Sequence, residues 1–528
     1  MEEITAALST DPLVVLSPRQ IGLISKYPYW CMATRPLSLS KVLRSTTWAN
    51  RKSVETTHQL IRSWPTIDPF CALELLGSQY QDTQVRCFAI SCISSFSEND
   101  LSSVLLQLVQ AVKHEQYHAS ALANFLILGA ARSHFIGHQI FWYSEAEIQN
   151  PTFFERFKLL KKSVLESLSY DHRQRLLLQC GVVRNLVSIA TEVKSVSDRG
   201  QRVPTLVRAL SYAKLRSDCG LPIDPCLDTL DLDIDGCKVM QSFTVPLWLR
   251  FRNADPVGLP INTIFKIGDD LRQDILTIQL LHVMDRVWKE NNLNLHLIPY
   301  KCVATGPCQG FIEIVRDSKT LADIHKSEGG GALGALKEKV LSNWLQQENP
   351  TPAEFESAVR LFTLSLAGYS VATYILGIGD RHSDNLMITK RGNLFHIDFA
   401  HFLGNTLKFA GIDRETTPFV LTPDFVYVVG GERKERSDNF KMFTSLACQA
   451  YHIAREHGSR LITLLEMMLS TGIPQLTKVQ DIYYLKESLK LGESADAADA
   501  HFRRQIERSL HNKRSVWMNF FHTVANPD

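Results

Sequence analysis

The sequence holds no CxxC pair and no paired zinc spacing among its eleven cysteines, at positions 31, 71, 87, 92, 180, 219, 226, 237, 302, 308 and 448. Clustered thiolate metal sites are thereby excluded, and reduced thiols are the expectation. Charge of one sign is equally scarce, since 57 Lys and Arg against 55 Asp and Glu leave a formal charge of +2 over 528 residues. That balance supplies no bulk field for nucleic acid, so no nucleic-acid partner is expected and any basic surface must be local. The start, Met1-Glu-Glu-Ile-Thr5, has no basic segment ahead of an apolar one, so no signal peptide is read. The richest short apolar run, Ala123 to Ala131, stops at Arg132, well short of the ~20 residues that span a bilayer. A chain at most peripheral to a membrane is expected. What remains is ordinary globular composition, 45% hydrophobic and 21% charged, over a length worth roughly three to four domains or two large ones.

Residues 1 to about 190 place apolar side chains at helical spacing, as in Leu101, Leu105, Leu108, Val109 and Val112. This predicts an α-solenoid of stacked helices or, since no strict period is found, an irregular helical bundle. The polar stretch 191–203 reads as an exposed linker, and a second domain is expected over 204–528. Its first lobe, to about residue 315, combines the β-rich segments Pro246–Phe251, Thr263–Lys266 and Phe311–Val315 with one helix near 270–290. Its second lobe, from about 316, carries a buried helix over Glu354–Ile375. The fold class expected is therefore α+β. The Gly-rich run Lys326–Gly334 reads as a flexible loop, because no GKS or GKT follows it.

Chemistry concentrates in Gly377-Ile-Gly-Asp-Arg-His-Ser-Asp-Asn385 and His396-Ile-Asp-Phe-Ala-His401. Phosphoryl transfer needs hard oxygen ligands for Mg²⁺, a group that positions the attacking hydroxyl, and cations that neutralise the phosphates. Asn385 and Asp398 offer the metal oxygens, Asp380 and His382 can orient or deprotonate a hydroxyl, and Lys266 supplies a cation. Leu386–Ile388 and Leu394–Phe395 suit a buried hairpin between the two segments.

The order D-R-H-x-x-N then D-F, downstream of Lys266 and Gly268-Asp-Asp-Leu-Arg-Gln-Asp274, resembles the phosphoinositide 3-kinase family. Leu297–Tyr300, Ile312–Val315 and Pro418–Asp424 extend the resemblance to class I catalytic subunits, and Leu105–Lys113 with Ile136–Trp142 resemble the gamma type. The resemblance implies a helical accessory domain followed by a two-lobed, protein-kinase-like catalytic domain that uses ATP and Mg²⁺. It assigns Lys266 to the ATP phosphates, Asp274 and Tyr300 to the inner adenine pocket, and Glu313 and Val315 to the hinge. Met240 and Ser242 fall in the phosphate-binding loop, Trp248 and Ile312 wall the purine, and Met387 and Ile397 form the pocket floor. Asn385 and Asp398 are the implied Mg²⁺ ligands, and Asp380, His382 and His401 the implied catalytic residues. Lys408 and Arg414 are the basic residues left to meet a lipid headgroup, because Leu407 and Thr416 stand where further ones are expected.

Two other departures accompany that one. Ala400 replaces the glycine of D-F-G, and where a left-handed backbone is needed alanine resists it by about 1 kcal/mol. Ser242-Phe-Thr-Val-Pro246 lacks the lysines of class I members, which removes one cationic contribution. His396 reads as a core histidine, and Asp269 and Asp270 as helix-capping carboxylates. The C-terminal stretch Phe502–Phe521, with Trp517, Phe520 and Phe521 among basic residues, suits either a membrane interface or a packed terminal helix.

The function expected is transfer of the γ-phosphoryl of Mg·ATP to the 3-hydroxyl of a phosphatidylinositol, the 4,5-bisphosphate or a less phosphorylated form. Two alternatives stand beside it: a catalytically impaired nucleotide-binding scaffold, and a protein kinase of the related large-kinase group. The expected partners are a phosphoinositide in a membrane surface and, by resemblance, a regulatory subunit, Ras or G-protein βγ. Localisation is expected to be cytoplasmic with peripheral recruitment to the inner face of the plasma membrane. The adaptor-binding, Ras-binding and C2 modules of a whole class I subunit are not seen, so the sequence reads as a fragment or a reduced form.

Overall fold

The computed structural model describes all residues except 149, 214, 216–218, 243, 330–336, 406–407, 410–411, 414–416 and 512–528, and gives backbone only at 329, 408–409 and 412–413. The architecture is α+β, a helical array followed by sheets and further helices. The chain divides into two compact units. The first comprises Met1–Ile275, Lys301–Ile314 and Ser459–Ile473, and the second Leu276–Tyr300, Val315–Gly458 and the chain from Pro474.

In the first unit the helices start where short polar side chains precede an apolar stripe. Asn50, Asp82, Ser97, Ser120 and Ser133 each accept a backbone N–H of the first turn they open, a cap that stabilises by about 1 kcal/mol. Alternate helices stack: Arg51–Ser63 on Thr83–Ile93, that helix on Ala121–Arg132, and the latter on Phe154–Ser167. Each helix buries its stripe on its neighbours, which is the geometry of a solenoid. His134–Glu147 packs against several neighbours, with Phe141 and Trp142 almost fully buried.

Residues 191–203 are largely exposed, as expected, but are mostly helical rather than an irregular linker. The helix Tyr170–Ser195 runs through the first part, residues 196–198 connect it onward, and the next helix, Arg199–Ala213, takes up the remainder. Val193 is buried, as is Ala190 just before the stretch, so the polar residues among 191–195 form the outer face of a packed helix end.

The same unit carries strands β1 (Thr229–Leu232), β2 (Lys238–Val239), β3 (Leu247–Asn253), β4 (Ile261–Ile267), β5 (Cys302–Gly306) and β6 (Gln309–Glu313), ordered β1-β3-β4-β6-β5 with β2 beside β3. Period-two alternation buries Leu247, Leu249 and Phe251 of β3, and Ile261, Thr263 and Phe265 of β4, on one face. β5 packs on the helix His134–Glu147. Beside that contact lies a buried ionic network. Lys113 Nζ is 2.9 Å from Glu147, whose other oxygen meets Gln110 at 3.1 Å and Arg272 at 3.6 Å; Arg272 also pairs with Asp270 at 2.7 Å. Removing one partner of such a buried pair costs about 3–5 kcal/mol, because the other charge is stranded. The network thus fixes the start of the helix Arg272–Glu290, which bears Asp274.

The second unit centres on the helix Pro352–Leu376. It opens with Thr351 and Glu354 exchanging side-chain-to-backbone bonds and Pro352 in its first turn, and ends at Gly377 in left-handed backbone, φ +57°. Together with Tyr170–Ser195 it is long and apolar enough to cross a membrane, contrary to the short apolar runs expected, but 78% of its most apolar window is buried inside the protein. It is a core helix. Strands β7 (Ser318–Thr320), β8 (Leu386–Thr389) and β9 (Leu394–His396) form a three-stranded sheet, and β10 (Lys408–Phe409) pairs with β11 (Ile412–Asp413). Of the C-terminal stretch, Phe502 is buried and stacks on Tyr451 with centroids 4.5 Å apart; Trp517, Phe520 and Phe521 lie outside the described residues.

Candidate active site

In the first unit the register of the sheet assembles one half of the predicted set. Trp248 of β3 faces Ile264 of β4, Ile264 faces Ile312 of β6, and Ile312 faces Cys302 of β5. Directly opposed residues share a face, so these four form one row on the half-exposed side of the sheet. Lys266 lies two residues beyond Ile264 on that same face, with Nζ 3.5 Å from the Asp269 carboxylate. Its cross-strand partner is Gly310, where an added Cβ would meet Val303 O at 2.1 Å, so no side chain fits beneath the lysine stem. Burial pushes the Cys302 thiol well up, Asp274 adds to the shift and Lys266 opposes it, which places both charges within electrostatic reach of the row. Residues 240–242 and 244–246 lead from β2 into β3. Met240 N–H donates to Pro246 O at 2.9 Å, Ser242 N–H to Met240 O at 3.1 Å, and Ser242 itself is exposed. Glu313 accepts Lys301 N–H at 2.8 Å, which keeps its carboxylate turned back to its own sheet.

The second unit gathers the other half. Tyr300 is buried and stacks nearly parallel on Phe399, centroids 6.4 Å apart. Val315 is half-buried. In the β8–β9 hairpin Met387 opposes Phe395, and Ile397 follows two residues on, so Met387 and Ile397 share one face and are half-buried. The opposite face is core: Leu394 N–H donates to Ser365 Oγ at 2.9 Å, and His396 stacks on Tyr369 with centroids 4.8 Å apart. Burial holds the His396 imidazole well below its usual range, so it is neutral and structural.

The catalytic-type loops are tied to each other by backbone and by one guanidinium. Gly379 N–H donates to His401 O at 2.9 Å, Leu403 N–H to Leu376 O at 2.7 Å, and Gly404 N–H to Gly377 O at 3.1 Å. A Cβ at Gly377 would meet Gly404 N at 2.3 Å, so this crossing requires glycine. Arg381 donates to Gly379 O at 2.8 Å, to Ile397 O at 2.7 Å and to Asp398 O, and so clamps the loop bearing Asp380 to the loop bearing Asp398. His382 Nε2 is 3.7 Å from the Asp380 carboxylate, and Asn385 Nδ2 lies 2.9 Å from Asp380 O and 3.1 Å from His382 Nε2. That leaves Asn385 Oδ1 as the oxygen available to a cation. Asp398 is exposed in left-handed backbone at φ +60°, with its backbone rather than its carboxylate spent on Arg381. Among the described residues no three His, Cys, Asp or Glu side chains gather as a metal cage. One carboxylate with an amide oxygen fits Mg²⁺, which is commonly held by one or two carboxylates and completed by water and substrate phosphates.

The structure therefore brings Asp380, His382, Asn385, Asp398 and His401 onto two interlocked loops, and Trp248, Ile312 and Lys266 onto one sheet face. The expectation that Ala400 sits where left-handed backbone is needed is corrected. Positive φ falls at Asp398 (60°), Leu403 (53°) and Gly404 (72°) instead, so alanine carries no such strain. Lys408 is described in backbone only, and Leu407, Arg414 and Thr416 lie outside the described residues. Three contributors were missed. Ile264 could have been found by counting back two from Lys266 on a strand. Arg381 sits inside the motif but its targets are carbonyls, which sequence does not distinguish. Gln475 gave no signal at all: its Nε2 donates to Ala400 O at 2.8 Å, its Oε1 accepts Phe402 N–H at 2.8 Å, and it lies 3.4 Å from His401 Nδ1.

Residues 260–478 match the model of phosphatidylinositol 3- and 4-kinase, and residues 1–177 that of the phosphoinositide 3-kinase family accessory domain, the PIK domain. The chain is 43% identical over 523 residues, 99% of its length, to phosphatidylinositol 3-kinase 2 of Dictyostelium discoideum, and 41% identical over 525 residues to phosphatidylinositol 3-kinase 1 of the same organism. It is 35% identical over 524 residues to the phosphatidylinositol 4-phosphate 3-kinase C2 domain-containing subunit alpha of Pongo abelii. The chain spans 28%, 33% and 31% of these three relatives respectively.

Proposed function

Because this chain carries the catalytic and accessory domains of the phosphoinositide 3-kinase family, we propose that it transfers the γ-phosphoryl group of ATP to the 3-hydroxyl of a phosphatidylinositol lipid. The observation that carries the reading is the Arg381 clamp, which holds Asp380, His382 and Asn385 on one loop and Asp398 on the next. Asp380 and His382 orient the inositol hydroxyl and accept its proton, and His401 faces the transferred group. Lys266 contributes a cation to the phosphates, while Trp248, Ile264 and Ile312 bear on the purine. Asn385 Oδ1 and the Asp398 carboxylate hold Mg²⁺, which when bound offsets the charge of the phosphates.

The test is Mg·ATP-dependent incorporation of phosphate into phosphoinositide vesicles. Wild type should label the lipid and Asp398→Ala should lose on the order of 10³-fold or more, as expected when a group that acts on the transition state is removed. Equal signals from both proteins would refute the assignment. Nucleotide binding by wild type without lipid or peptide product would favour the scaffold reading, for which the lysine-poor loop at Ser242 remains the motive. Peptide phosphorylation exceeding lipid phosphorylation would favour a protein kinase. Headgroup profiling decides between the 4,5-bisphosphate and less phosphorylated lipids. The gamma-like class I assignment, the partners (a regulatory subunit, Ras or G-protein βγ) and recruitment from the cytoplasm to the inner plasma membrane are parts of the same proposal, to be tested by pull-down and by imaging.

A further inference from the structure

The near-neutral total charge hides a strongly basic segment at the start of the helical array. Between Ser17 and Ser63 stand eight Lys or Arg and a single acid, Glu55. Two of the cations are spent inside the fold: Lys41 donates to Ala7 O at 3.1 Å and Leu8 O at 3.3 Å, and Arg44 pairs with Glu74 at 2.7 Å. Others remain at the surface, and part of that surface is organised around a cavity of about 340 Å³. Its walls bring together Ser25 at the end of the helix Pro18–Lys26, Thr46, Thr47 and Asn50 from the loop after the helix Leu39–Arg44, and Lys52 and Ser53 from the helix Arg51–Ser63. Lys26 and Tyr27 lie between the wall residues Ser25 and Pro28 in the chain, and Trp48 and Arg51 directly follow the wall residues Thr47 and Asn50.

The rings are not packed away. Tyr27 and Trp48 are each 39% exposed and Tyr29 is 55% exposed. Trp48 Nε1–H already donates to Leu43 O at 3.2 Å, so the part of the ring that faces outward has only an apolar edge to offer. Lys26 Nζ stands 5.4 Å from the Tyr27 centroid. Arg51 is paired with Glu55 at 2.9 Å, but with 93% of its side chain accessible the pair is a weak surface contact that a stronger anion can displace. Cations beside half-exposed Trp and Tyr are the composition of a membrane-interface contact, and a hydroxyl- and amide-lined cavity offers hydrogen bonds to a phosphate-bearing headgroup. A protein partner would instead need an apolar pocket for an anchoring side chain, and here the walls are mostly Ser, Thr and Asn.

We propose that this face of the helical array, centred on the cavity beside Lys26, Trp48, Arg51 and Lys52, docks on an anionic phospholipid surface and seats a headgroup. It is a lipid contact separate from the catalytic loops, and it rests on the lipid-kinase reading only for the choice of occupant.

The test compares the full chain with Lys26→Gln/Arg51→Gln/Lys52→Gln and with Trp48→Ala, each checked for folding by circular dichroism. Co-sedimentation is measured on vesicles of phosphatidylcholine alone and of phosphatidylcholine with phosphatidylserine. At about 1 kcal/mol, or roughly five-fold, per cation near anionic lipid, the triple variant should lose on the order of 100-fold in affinity for the mixed vesicles. Trp48→Ala should weaken binding to the mixed vesicles by several-fold, and wild type should bind phosphatidylcholine alone poorly. Turnover of a soluble short-chain phosphoinositide should be unchanged in both variants; its absence in wild type would count against the kinase reading and leave the vesicle result standing. Should a variant unfold, Lys52→Gln alone, with an expected five-fold loss, carries the test. Equal vesicle binding by wild type and the triple variant would overturn the proposal, as would binding of an acidic peptide or RNA that is tighter than vesicle binding and lost in the same variant.

Discussion

The sheet of the first unit and the paired loops of the second hold their functional side chains by different physical means. In the sheet, Trp248, Ile264, Ile312 and Lys266 share a face because strands alternate, and the pairing register sets which of them are neighbours. Position there is a by-product of the backbone ladder, so a side chain can be changed with only local consequences. In the loops no ladder exists. Asp380 and Asp398 both lie in left-handed backbone, which costs a non-glycine residue of order 1 kcal/mol or more, and side chains from elsewhere hold the path: Arg381 through three carbonyls and Gln475 through the backbone of Ala400 and Phe402. Stability and chemistry should therefore be coupled in the loops and separable in the sheet.

The sharpest way to break that contrast is Arg381→Ala, which strands three carbonyls and opens a buried gap. An expected loss of about 4 kcal/mol in denaturant unfolding should accompany near-complete loss of turnover, and Arg381→Lys should recover little, since one ammonium cannot reproduce the fork. A stable, fully active Arg381→Ala would remove the coupling. Next in size is Gln475→Ala, for which kcat should fall about 10- to 100-fold while KM for ATP stays within about two-fold, because Gln475 shapes the His401 loop and touches no purine contact. Gln475→Glu keeps the acceptor for Phe402 but loses the donor to Ala400, so it should recover only part of the rate.

In the sheet the signature should invert. Ile264→Ala removes apolar contact from the middle of the row and should raise KM for ATP about 10-fold with kcat nearly unchanged, as read in steady-state titrations. A fall in kcat without a change in KM would show that the sheet is as coupled as the loops. The smallest effect belongs to Ala400→Gly. With no left-handed backbone at that position, glycine relieves no strain and adds only chain entropy, so stability should drop by less than about 1 kcal/mol and activity should stay within two-fold. A large gain in turnover would instead support the impaired-scaffold reading.

Much of this was legible along the chain because it depends on near neighbours. The apolar spacing over Glu354–Ile375 and the β-rich runs Pro246–Phe251 and Thr263–Lys266 are local signals, and they placed the core helix and the sheet within a few residues of where they lie. The 191–203 stretch shows where local signals mislead, since exposed helix ends polar on their outer face have the same composition as an irregular linker, and only the burial of Val193 marks the difference. Ala400 shows the same from the other side: a motif position suggested a glycine-like backbone, whereas the loop moved its left-handed residues to Asp398 and Leu403.

By itself the order of residues determined which groups could do chemistry, Lys266 and the two acid-amide-imidazole segments, and which faces of helices and strands would be apolar. Only the tertiary structure decided that Arg381 would join Gly379 to Asp398, that Gln475 would reach back to Ala400, and that one basic segment would wrap a hydroxyl-lined cavity. The reason is physical: side-chain type and periodicity are properties of a short stretch of chain, whereas a hydrogen bond to a particular carbonyl exists only once distant segments have been brought within about 3 Å of each other.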